Sequence, residues 1–332
     1  MRTALVLGAL GGLLFASMLG AILVGAVAIA PADVWAALWG GADQTTGTIV
    51  RDLRLTRVFA AALVGGSLAV AGALLQGLLR NPLADPYVTG TSAGASLSAV
   101  GAIALGAAAV PAILPLAAFV GALAAAAVVW RLASLGGRTT VLTVLLAGIV
   151  LSSFAGGVVT LLLVASDRIA LRLRAVLGWL LGGVSVTDRS ELAMATAIIV
   201  VAALAAFALA RRLDAFAFGD ETAATLGVDV DRTTTAVLGV AALLTGAAVA
   251  LAGVIGFIGL IVPHALRPLL GAPHARLVPA CFLLGATTLV VADAAARVVL
   301  SPAELPVGVI TGLVGGPFFL ALLLRGRRRV VV

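Results

Sequence analysis

Long runs of apolar residues without a single charge most constrain this chain. Residues 6–30, 113–130 and 141–164 carry none, and each run approaches or exceeds the about 20 residues that a helix needs to cross a hydrocarbon core of about 30 Å. In lipid the backbone must satisfy its own hydrogen bonds, so such runs fold as spanning helices. The composition agrees: of 332 residues, 62% are apolar and 11% charged, with a mean hydropathy of +1.23. A water-soluble core cannot bury that fraction, which excludes a soluble enzyme domain. The 39 glycines sit among Ala, Leu and Val and suit helices packed closely through small residues.

Ten spans are expected, at 6–30, 58–79, 87–107, 113–132, 141–164, 191–210, 233–251, 255–270, 277–298 and 305–324. The fold class is therefore all-α, a polytopic membrane protein forming one transmembrane domain over 1–332. The first run ends in Ala-Ile-Ala-Pro-Ala-Asp and has the outline of a signal peptide, yet the many later spans favour an uncleaved first helix. All 21 basic residues are arginine. With the N-terminus inside, Arg51, Arg54, Arg57, Arg168, Arg172, Arg174, Arg189 and Arg297 fall outside and the others inside, Arg138 and the Arg-Gly-Arg-Arg-Arg tail at 325–329 among them. That bias puts both termini in the cytoplasm. The external arginines need a separate explanation.

An internal echo links the two halves. Residues 67–82 lie over 248–263 at an offset of 181, with Ala69, Ala71, Gly72 and Pro82 falling on Ala250, Ala252, Gly253 and Pro263. Five helices separate the copies, so the second runs in the opposite sense, as in an inverted repeat with halves near 58–164 and 233–324. Chance likeness among Ala/Gly-rich helices is the alternative. Arg80–Pro86 reads as a tight turn, and Pro263 and Pro268 interrupt the eighth span. Such breaks are tolerated where protein or a water-filled cavity surrounds the backbone.

The polar residues are few. His264 and His274 stand ten apart without the pattern of a metal site. Asp293 and Arg297 share a helical face and form a polar pair, for structure or for gating. The charged segment 210–232 suggests two short helices around Gly219, either a docking surface or a solvated loop. Cys281 lies in an apolar run and serves packing. The chain has no GxxxxGK[ST] phosphate loop, so ATP hydrolysis, if required, belongs to another chain.

Arg-Leu-Thr-Arg at 54–57, Gln-Gly-Leu-Leu-Arg-Asn-Pro-Leu-Ala-Asp-Pro at 76–86, Gly-Asp-Glu-Thr-Ala-Ala-Thr-Leu-Gly-Val at 219–228, Gly-Phe-Ile-Gly-Leu-Ile-Val-Pro-His at 256–264 and the glycine-rich run at 305–323 follow one another in order. In that order the chain resembles the permease subunits of bacterial type II ABC importers, the family for iron-siderophore, haem and cobalamin uptake. The resemblance implies a non-enzymatic subunit of the cytoplasmic (inner) membrane with ten spans, working as a homodimer or as a heterodimer with a related permease. It implies two cytoplasmic ATPase subunits, which carry ATP and magnesium, and an external substrate-binding protein. No cofactor in this chain and no nucleic-acid partner are implied.

By the same resemblance Arg54, Arg57 and Arg297 meet acidic residues of the binding protein, with Arg51 as an accessory. The loop 213–230, with Gly219, Glu221, Ala224, Leu226 and Gly227, matches the coupling helices that the ATPases push. For the pathway, the fifth span offers Gly148, Ser152, Ser153, Gly156 and Gly157, either a passage or a packing seam, beside Gln76, Asn81, Pro82, Ser92, Ser96 and Pro263. A ferric siderophore is the expected cargo, followed by haem and cobalamin. An ion-coupled secondary transporter is the competing class.

Overall fold

A computed structural model describes residues 2–107, 110, 112–135, 141–184, 186, 188–301 and 303–327. Among the described residues all regular structure is helical. The chain opens with α1 (Arg2–Leu23) and α2 (Pro31–Leu38). A short α3 (Gln44–Gly47) runs through a π-helical turn (Thr48–Arg54) into α4 (Leu55–Leu78), and a 3-10 turn (Pro86–Thr89) precedes α5 (Thr91–Ala104). Then come α6 (Ile113–Ser134), α7 (Val141–Ala165), α8 (Asp167–Leu171), α9 (Leu173–Leu180) and α10 (Arg189–Ala215). The second half holds α11 (Asp220–Thr225), α12 (Val230–Ala252), α13 (Ile258–Leu270), α14 (His274–Ala296) and α15 (Val307–Arg327). Among the described residues seven helical stretches are long and apolar enough to cross a membrane, and three apolar helices are shorter.

Helix α4 is the axis of the bundle, packed against α10, α12, α13 and α14. Glycines make this crowding feasible: a Cβ on Gly65 would overlap the Gly285 carbonyl of α14, and one on Gly72 would overlap the Gly259 carbonyl of α13. Small residues here let backbones touch, the main route to helix association in lipid. The packing is pseudo-symmetric. The α4–α5–α6–α7 series and the α12–α13–α14–α15 series repeat the same neighbours: α5 packs on α6 and α7 as α13 does on α14 and α15, while α4 meets α13 and α14 as α12 meets α5 and α6.

Several boundaries differ from the sequence reading. At the 181-residue offset Leu78, the end of α4, falls on Gly259, already inside α13, so the residue match is out of step with the helices. Helix α1 stops at Leu23 rather than near position 30, because two arginine side chains capture its last carbonyls. The third span shrinks to α5, since Pro86 starts a 3-10 turn and Gly90, at φ 74°, redirects the chain. Pro263 and Pro268 lie inside α13 and do not break it; the break is the preceding segment 253–257, opened by Gly253 at φ 65°. Arg138, Arg328 and Arg329, and the side chains of Arg168, Arg174, Arg325 and Arg327, lie outside the described residues.

Candidate functional site

At the end of the bundle where α1 finishes, the three arginines read as docking residues form one cluster around α14. Arg54 is 5% exposed and donates to the carbonyls of Ile22 (3.0 Å), Leu23 (3.3 Å) and Val27. Arg297, 2% exposed, donates to Ala21 (2.9 Å) and Val24 (2.7 Å) and pairs with Asp293 (3.2 Å). A helix leaves its last carbonyls without partners, and here two guanidinium groups from distant helices cap them. Asp293, 1% exposed, also receives Arg57 at 3.0 Å, and Arg57 reaches Glu304 at 2.6 Å.

Arg54, Arg297 and Asp293 are thus buried, while Arg57, with a side chain 21% exposed, and Glu304, 40% exposed, open outward. Arg57 and Glu304 border two cavities, of about 310 and 470 Å³, the first also lined by Arg54 and Arg297 and the second by Arg172 and Trp179. Arg51 is exposed, and Arg189 pairs with Asp52 on the same side. Sequence reasoning missed Glu304, an acid in a loop with no motif around it.

The breaks are held by side chains. Pro263 has no N–H to donate to the carbonyl of Gly259 one turn earlier. The Gln76 amide of α4 donates to that carbonyl instead (3.2 Å), and to Leu260 and Ala84 (3.4 Å each), while its oxygen accepts from Arg267 (3.2 Å). Gln76 is 2% exposed, a joint between helices rather than a wall of an open path. The Tyr87 hydroxyl exchanges two hydrogen bonds with Ile255 (3.0 and 3.1 Å), tying segment 253–257 to the turn before α5. Asn81 accepts from the Leu83 N–H (2.9 Å), and Asp85, which burial pushes up to about 6, accepts from the Tyr87 N–H (2.9 Å).

Below this joint lies a cavity of about 490 Å³ bordered by Gln76, Arg80, Pro82, Phe218, Arg267 and His274. Two nitrogens of His274, ring Nδ1 and the backbone N–H, meet the Asp214 carboxylate, at 2.6 and 2.9 Å. Among the described residues no group of three metal-ligating side chains occurs.

Of the small residues in α7, Gly148 packs on the Val88 carbonyl, so it is a seam. Gly156 and Gly157 have nothing within 4 Å of a Cβ built on them, and with Ser153 they lie on an exposed face. Ser152, and Ser92 and Ser96 on α5, are half-buried. Pro263 is buried within α13.

The 213–230 loop contains a 3-10 turn (Phe216–Phe218), Gly219 at φ 97°, α11, and Gly227 at φ 82°. Positive φ suits glycine at both positions. Ala223 packs inward, while Glu221, Ala224 and Leu226 face out, Leu226 and Phe218 being 64% and 72% exposed. Arg80 meets Asp220 at 3.2 Å, linking this loop to the end of α4. The two exposed apolar side chains, Phe218 and Leu226, flank α11 at its two ends.

The sequence profile of the FecCD transport family matches residues 13–325. The chain is 44% identical to the cobalamin import system permease protein BtuC of Halobacterium salinarum over 85% of this chain and 75% of that protein. It is 40% identical to the hemin transport system permease protein HmuU of Yersinia pestis over 98% of this chain and 97% of that one. A solved structure described as an inward-facing conformation of a proposed metal-chelate type ABC transporter superposes with a TM-score of 0.81, at 27% identity, covering 97% of this chain and 99% of that one.

Proposed function

The chain belongs to the FecCD transport family and is a multi-pass membrane permease subunit of an ABC-type importer; from that premise we propose how its parts work. The three shorter apolar helices complete ten spans, arranged as an inverted repeat of α4–α7 and α12–α15, within one permease domain. Two such subunits, identical or related, enclose a path between them. The observation that carries this reading is α7: it leaves Ser153, Gly156 and Gly157 uncovered within the subunit, where a large cargo would meet small side chains and no charge.

An external binding protein docks on the surface that the arginine cluster organises. Arg57 meets the acidic partner, while Arg54 and Arg297 hold α1 and α14 in place beneath it, with Arg51 on the rim. On the opposite side Glu221, Ala224 and Leu226 rest on an ATPase subunit, with Gly219 and Gly227 setting the angles of the coupling helix. ATP-driven closure then acts through the Arg80–Asp220 contact on the end of α4 and on Gln76, and thereby shifts the population between inward-open and outward-open arrangements.

The cargo is a bulky metal chelate. A ferric siderophore is tested first; the identities to a cobalamin and a hemin permease support testing those two complexes beside it. The cognate binding protein, captured on the purified permease and analysed by mass spectrometry, should release one such chelate. A binding protein loaded with an amino acid or simple sugar would refute the cargo class.

A further inference from the structure

A crevice of about 300 Å³ lies between α6 and α12. Leu123, Ala127 and Trp130 form one wall, and Thr235, Leu238 and Gly239 form the other. We propose that this crevice holds an acyl chain of an anionic phospholipid of the cytoplasmic leaflet, with the headgroup phosphate bound by Arg131 and Arg232. Four observations carry the inference.

The walls are apolar, and the hydroxyls that border the crevice are satisfied within the protein: Thr235 donates to Asp231 (2.9 Å) and Thr89 to Pro86 (2.9 Å). A polar ligand would find no partner inside, whereas a hydrocarbon chain needs none. The crevice opens on the bundle surface, where Ala127, Thr235 and Gly239 are exposed, and both walls belong to spanning helices, so lipid is the surrounding solvent.

Helical spacing places a cation at the same end of each wall. Arg131 continues the Leu123–Ala127 stripe in the last turn of α6, and Arg232 precedes Thr235 and Gly239 on one stripe in the first turn of α12. That end carries α11 and is the cytoplasmic side by the arginine bias. Basic residues between spans on that side suit anionic headgroups. Finally, no ion pair holds Arg131 among the described residues, Arg232 pairs with Asp229 at 3.1 Å yet keeps its side chain 88% exposed, and Trp130 stands at the depth where indoles favour the interface.

Gly239 makes the test clean, because nothing lies within 4 Å of a Cβ built there. Gly239→Leu should fill the crevice without disturbing the fold, checked by unchanged thermal exposure of Cys281. Purified permease, incubated with equimolar phosphatidylglycerol and phosphatidylcholine, is analysed by native mass spectrometry. Wild type should retain phosphatidylglycerol in at least ten-fold preference. Each of Arg131→Gln and Arg232→Gln should cut that preference roughly five-fold, and Gly239→Leu should abolish retention. Equal retention of the two lipids by wild type, a preference that survives Gly239→Leu, or a permease dimer that excludes lipid from this face would overturn the proposal.

Discussion

Replacing Asp293 by Asn should destabilise the permease at its outer end, and the size of the effect follows from the cluster. The substitution keeps the volume of the side chain but removes the one negative charge that Arg57 and Arg297 share at 3.0 and 3.2 Å. Removing one member of a buried pair costs about 3–5 kcal/mol, because the remaining charge is left uncompensated. Arg57 keeps Glu304, and Arg297 keeps the carbonyls of Ala21 and Val24, which places the expected loss near the lower end, at about 3 kcal/mol. For a chain of this size that corresponds to a drop in Tm of roughly 4 °C.

The protein carries its own reporter. Cys281 is the sole cysteine and is fully buried, so a fluorogenic maleimide labels it only on unfolding. Heating wild type and Asp293→Asn in the same detergent should give curves separated by that interval, with Asp293→Glu intermediate. Curves that coincide within 1 °C would refute the view that the cluster staples α1 to α4 and α14.

Other substitutions separate packing from passage. Gln76→Leu leaves the Gly259, Leu260 and Ala84 carbonyls and the Arg267 guanidinium without their partner, and should cost about 2–4 kcal/mol by the same Cys281 assay. Gly148→Ala drives a methyl into the Val88 carbonyl and should lower Tm, whereas Gly156→Ala enters open space and should leave Tm unchanged while slowing uptake of a bulky cargo. Leu226→Asp, on an exposed turn, should leave binding-protein capture intact but reduce stimulated ATP hydrolysis by an order of magnitude; normal stimulation would remove Leu226 from the ATPase contact.

Hydropathy alone located most helices, because a spanning helix writes its length into a continuous apolar run. The ends were less legible. Where α1 stops depends on Arg54 and Arg297, which lie 27 or more residues away from the carbonyls they cap. Pro263 looked like a break because its missing N–H is visible locally, while the amide that replaces it comes from Gln76, on another helix. The short α5 was hidden by an apolar turn, Pro86–Thr89, that hydropathy cannot tell from helix.

The arginines proposed for docking show the same limit. Their motif was readable, but burial was not, and two of the three spend their donors on α1 rather than facing outward. The backbone of the 213–230 loop was the most legible part, since Gly219 and Gly227 both occupy positive φ and bracket α11 as their spacing suggested. His274 was read only as lacking the pattern of a metal site; that its ring is held by Asp214, 60 residues earlier on α10, was not visible in the sequence.

The most direct test of the central claim is uptake in proteoliposomes holding the permease with its ATPase subunits, the loaded binding protein being supplied outside. Radiolabelled or metal-tagged chelate should accumulate only when ATP is hydrolysed and the binding protein is present, and should not respond to an imposed proton or sodium gradient. Accumulation driven by an ion gradient in the absence of ATP would contradict the account.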